Sequence, residues 1–173
     1  PFSTVDLSNN VNLEELNMSG DALTSLDLQS NAQLLIIDVS AMNLETINLS
    51  GCTQLETLTL SSMQSLQSLD ISSNTQLIEA DLSGIRFIGQ PNTVLESLDL
   101  SQNTNLELAR IQYFDALTGL NIEGANALNS LHTYFMPNLD IDFNSNTNIK
   151  GLLLGGMAME TIDISQLSDL SYF

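Results

Sequence analysis

The chain has 173 residues and carries three basic against twenty-one acidic side chains, a net charge of -18. That balance repels phosphate backbones and anionic lipid surfaces, which excludes nucleic acid as a partner. No apolar run approaches the roughly 20 residues of a membrane span, which excludes direct membrane insertion by this segment, and a single cysteine cannot close an internal disulfide.

From the N-terminus onward an apolar phrase, Leu-x-x-Leu-x-Leu, reopens every ten or eleven residues: at Leu13, Leu23, Leu34, Leu44, Leu55, Leu66, Leu77, Leu95, Leu106, Leu117, Leu128, Leu139, Ile149, Met159 and Leu170. A fixed short period of this kind predicts stacked repeats rather than a folded-over globule. Alternate phrases differ at their ninth position. The A halves, opening at Leu13, Leu34, Leu55, Leu77, Leu106, Leu128 and Ile149, hold Asp21, Met42, Met63, Ile85, Phe114, Met136 and Met157 there. The B halves, opening at Leu23, Leu44, Leu66, Leu95, Leu117, about Leu139 and Met159, hold Asn31, Cys52, Asn74, Asn103, Ala125, Asn146 and Leu167. An interior Asn can bond backbone groups at a turn and repeat those bonds on the next coil, so a ladder of Asn suits a coil corner.

The full unit is 21 or 22 residues, and neither half has room for a helix. Positions one, four and six of each half point inward, and the apolar-polar alternation around them matches a strand. The expected fold is mainly β, a solenoid with short parallel strands on both faces, its seven units rising about 34 Å. One domain, 1–173, is expected, with units over 13–169 and an insertion loop at 86–94 that carries Arg86 and Phe87. The chain opens and closes in mid-unit, so a fragment of a longer protein is expected.

The surface positions separate architecture from candidate function. In the B halves the fifth position reads Asp6, Asp27, Asn48, Asp70, Asp99, Asn121, Asp142 and Asp163. Such uniformity predicts short side chains capping backbone amides at each bend. In the A halves the fifth position runs Asn17, Asp38, Thr59 and Asp81, then Arg110, His132 and Leu153. The seventh runs Ser19, Ser40, Ser61 and Ser83, then Gln112, Tyr134 and Gly155; the eighth runs Gly20, Ala41, Ser62 and Gly84, then Tyr113, Phe135 and Gly156. Stacking places Arg110 beside His132, Gln112 beside Tyr134 and Tyr113 beside Phe135, with Lys150 one strand further on. Exposed Tyr, Phe and Arg are enriched at binding hot spots, so these residues, with Arg86 and Phe87 of the insertion, form the candidate partner-binding patch. A buried joint to a neighbouring domain is the competing reading of the same rings.

Catalytic and metal readings fail on spacing. Cys52 and His132 lie four stacking steps apart, roughly 19 Å, which is no nucleophile and base pair. Asp140-Ile-Asp142-Phe-Asn144 has the opening spacing of a calcium loop, but the twelfth position is Gly151 rather than Glu, and the repeat accounts for each of these residues. No catalytic residue, metal site or cofactor is expected, and the chain is read as non-enzymatic.

Leu13-Glu-Glu-Leu-Asn-Met-Ser-Gly-Asp-Ala-Leu23 and Leu66-Gln-Ser-Leu-Asp-Ile-Ser-Ser-Asn74 resemble leucine-rich repeats, and the spacing is similar to the short class of Bacteroidota surface proteins. The resemblance implies that the A half is the concave-face strand and that the protein is displayed at the cell surface, associated with the outer membrane. It implies recognition of a protein, or alternatively a glycan, through the C-terminal repeats. The rival implication is a structural spacer or docked subunit of a surface assembly, such as a carbohydrate-uptake complex.

Overall fold

A computed structural model describes residues 3–20, 22–41, 43–84 and 93–173. The expected positions Asp21, Met42, Ile85, Arg86 and Phe87 lie outside the described residues. The A halves supply seven strands of one parallel sheet: β1 Glu15–Ser19, β3 Ile36–Ser40, β5 Thr57–Ser61, β6 Glu79–Ser83, β8 Leu108–Gln112, β10 Ser130–Tyr134 and β11 Gly151–Gly155, stacked in chain order. Within a strand, alternate residues are buried, as in the Leu58 and Leu60 of β5, because each coil must send one face inward.

The B halves pair less. β2 Ser25–Asp27 pairs with β4 Thr46–Asn48, and β7 Ser97–Asp99 with β9 Gly119–Asn121, while the third, sixth and seventh B halves contribute no strand. Only short stretches are straight there, because the fifth-position Asp or Asn turns the chain. Each of the eight accepts, through Oδ1, the backbone N–H two residues on: Asp6 from Ser8, Asp27 from Gln29, Asn48 from Ser50, Asp70 from Ser72, Asp99 from Ser101, Asn121 from Glu123, Asp142 from Asn144, and Asp163 from Ser165. This is the Asx bend, and it accounts for much of the acidity of this side. The solenoid is thus strand-built on both faces, with a broad sheet on one and short paired segments on the other.

The core runs the length of the stack, from Leu16 through Leu58 and Leu106 to Leu152. Burying each such leucine contributes about 1.5–3 kcal/mol. The corner ladder is polar. Asn74 Nδ2 donates to Leu49 O at 3.1 Å and to Cys52 O at 2.8 Å; Asn103 does the same to Ile71 and Asn74, and Asn146 to Ile122 and Ala125. Cys52 takes one rung with its thiol, 3.4 Å from Leu28 O, and burial pushes that thiol up to about 11.

Candidate functional site

Strand register sets three outward rows across the broad sheet. The middle row reads Asn17, Asp38, Thr59, Asp81, Arg110, His132 and Leu153 on successive strands. In the row beside it Ser83 is followed by Gln112, Tyr134 and Gly155. The pairings expected for Arg110 with His132 and Gln112 with Tyr134 are therefore direct cross-strand neighbours. Their chemistry is less uniform than the row suggests.

Arg110 turns back to strand β6. Its guanidinium bonds Glu79 and lies 3.5 Å from Asp81. Its charge is largely answered within the sheet. His132, on the other side, hydrogen-bonds Ser130 Oγ through Nε2 at 3.0 Å. Burial holds its imidazole below the ordinary value, Arg110 lowers it further, and Asp81 opposes both. At neutral pH the neutral imidazole of His132 therefore predominates.

The rings form one cluster at the ends of β8 and β10. Tyr113 stacks on Phe135, centroids 5.6 Å apart and planes 16° apart, and Tyr134 meets both edge-on, 5.9 Å from Tyr113 and 4.4 Å from Phe135. Tyr113 and Phe135 both have left-handed backbones, φ 61° and 54°. Bulky side chains rarely adopt that conformation, which elsewhere in this eighth position falls to Ser62 and Gly156. Two glycines of the next coil seat the rings: a Cβ at Gly155 would lie 2.4 Å from the Tyr134 ring and one at Gly156 2.9 Å from Phe135.

Between the last three strands the surface dips into a cleft of about 420 Å³, walled by Gln112, Tyr113, His132, Tyr134, Leu153 and Leu154. Tyr134 and Leu153 are exposed on its rim, at 43% and 39%. The structure thus brings together Gln112, Tyr113, His132, Tyr134 and Phe135, with Arg110 at their edge. Lys150 stands apart. It is exposed immediately before β11, five residues from the level of Tyr134 along the strand direction, roughly 16 Å. Sequence reasoning missed Glu79 and Asp81 as partners of Arg110, and Leu153 and Leu154 as cleft walls. The consecutive Gly155-Gly156 after two aromatic-bearing coils was the available signal.

Among the described residues, no set of His, Cys, Asp and Glu could hold a metal ion, and no helix is long and apolar enough to cross a membrane.

These features define a leucine-rich repeat solenoid. The functional domain of InlJ from Listeria monocytogenes, a structure that includes a cysteine ladder, superposes with a TM-score of 0.79 at 25% identity, covering 97% of this chain and 35% of that one. An internalin, InlF, from Listeria monocytogenes str. 4b F2365 matches at a TM-score of 0.42 and 14% identity, over 98% of this chain and 51% of its own. The chain thus spans about a third of the first structure's length. No protein-family model and no curated protein matches it. The corner ladder of this chain is built on asparagine, with Cys52 as one rung.

Proposed function

We propose that this chain is a non-enzymatic recognition module that binds a protein partner through the broad, concave-side strands of its C-terminal repeats, in a protein displayed at a bacterial cell surface. The observation that carries the proposal is the pair of left-handed aromatic residues, Tyr113 and Phe135, built into an eighth position that is otherwise small. Strained, bulky residues persist where function requires them. Together with Tyr134 and Leu153 they give an apolar anchor site beside polar Gln112 and neutral His132, the mix found at the centre of protein interfaces.

A protein ligand is favoured over a glycan because the faces that Tyr113 and Phe135 turn to each other are closed to a sugar ring. The test is affinity capture from the extracellular fraction of the source organism, with wild type compared to a Tyr134→Ala, Arg110→Ala chain of matched circular dichroism. A protein retained by wild type and lost by the variant is expected. Identical retention by both chains would remove the patch from recognition, and binding confined to a glycan array would replace the protein ligand by a sugar.

A further inference from the structure

The broad sheet carries more than the aromatic cluster, and its electrostatics change along the stack. At the N-terminal end Glu15 and Asp38 face outward from β1 and β3, and among the described residues neither has an ion-pair partner. In the middle, Glu79, Asp81 and Arg110 answer one another. At the C-terminal end, Tyr134 and Leu153 present an uncharged surface beside His132, whose partial burial favours the neutral imidazole. The face therefore has an anionic end without a counter-charge, a middle in which Arg110 offsets one of two carboxylates, and an apolar end, in a chain of net charge -18.

We infer that the occupant of this face is an extended, basic protein segment bound with one polarity: an apolar side chain sits in the cleft between Tyr134 and Leu153, and a Lys or Arg lies over Asp38 and Glu15. An acidic segment would meet uncompensated carboxylates and the field of the whole chain. A neutral one would leave the anionic end unused.

The register sets the spacing. Asp38 is four strand steps from β10 and five from β11, roughly 19–24 Å at the usual strand separation. An extended segment crossing the strands covers that in about six to seven residues. The charge sets the direction of the segment, and the cleft sets its position.

The inference rests on the recognition reading above, and the experiment separates the two. The full chain is panned against a phage-displayed library of random linear peptides, with Tyr134→Ala as counter-target, and recovered peptides are titrated against wild type and a Glu15→Gln, Asp38→Asn chain. Peptides that depend on Tyr134 are expected to carry a Lys or Arg about six to seven residues from an apolar residue. Neutralising Glu15 and Asp38 is expected to weaken them about fivefold, as is replacing the peptide's basic residue by norleucine, with no further loss when both changes are made. Tyr134-dependent peptides indifferent to Glu15 and Asp38 would overturn the polarity and leave recognition standing. Recovery of only Tyr134-independent peptides, or of none, would overturn both.

Discussion

Tyr113 and Phe135 occupy the same position on successive coils, both with a left-handed backbone, and their rings lie 5.6 Å apart, nearly parallel. Backbone hydrogen bonds hold each in place: Tyr113 N–H donates to Tyr134 O at 2.8 Å, and Phe135 N–H to Gly155 O at 2.7 Å. The coil below dictates a backbone that the side chains themselves disfavour.

Glycine should therefore be tolerated at these positions by the fold and not by function. Ser62, with φ 63°, is the control: Ser62→Gly is expected to gain up to about 1 kcal/mol in urea unfolding. Tyr113→Gly gains the same backbone relief and loses two ring contacts, to Phe135 and Tyr134, of about 0.5–1.5 kcal/mol each, so a net loss of no more than about 2 kcal/mol is expected while partner affinity falls. A Tyr113→Gly chain that binds as well as wild type would argue against a functional role for the strain.

Gly155→Ala tests the seat of Tyr134. The added methyl would overlap the ring, and the ring must swing away to relieve it. The chain is expected to remain folded, with changed Tyr134 ring shifts in NMR spectra and weaker partner binding. Unchanged Tyr134 resonances would contradict the packing described.

Asn74→Ala removes two hydrogen bonds to the corner carbonyls Leu49 O and Cys52 O, each of which keeps one backbone donor, the N–H of Cys52 and of Leu55. A loss of about 1–3 kcal/mol in urea unfolding is expected, above the loss for an exposed residue. Cys52, whose thiol burial pushes up to about 11, should resist iodoacetamide in the folded chain and react once it unfolds.

His132 and three of the bend aspartates shape the pH response. Because the folded His132 titrates below its unfolded value, the unfolded chain binds more protons in that interval, and stability falls as pH drops through it. Arg110→Ala should raise the His132 titration point measured by NMR, since it removes the repelling charge and leaves Asp81. Asp70 is held below its ordinary value of 3.8 by the Ser72 hydroxyl and then by the Ser72 N–H, as are Asp6 by Ser8 and Asp163 by Ser165, so the stability they contribute is lost as pH falls below 3.8. Asp70→Asn keeps the bend acceptor, as Asn48 and Asn121 do naturally, and should flatten the acid limb of the stability curve without loss at neutral pH. An unaltered acid limb would assign the dependence elsewhere.

The repeat was legible because each inward leucine has the same job on every coil, so periodicity alone separated Leu58 and Leu60 from Thr57 and Thr59. The Asx bends and the Asn corner were legible for the same reason. The site was legible as rows: the register of Arg110 with His132 and of Gln112 with Tyr134 follows from counting. Counting could not show where a long side chain turns. Arg110 reaches back to Glu79 and Asp81 rather than forward to the rings, and Lys150, although one strand on, stands at the far end of that strand from them. The broken pairing of the B side was also hidden, because a three-residue strand flanked by an Asx bend forms or fails on small differences in local geometry.

The central claim is that the aromatic cleft is the contact surface, and the most direct measurement is the affinity of a captured partner for wild type and for Tyr134→Ala, taken side by side on chains of equal thermal stability. A central anchor predicts a loss of at least about thirtyfold. Equal affinities would contradict the account and place recognition on another face of the solenoid.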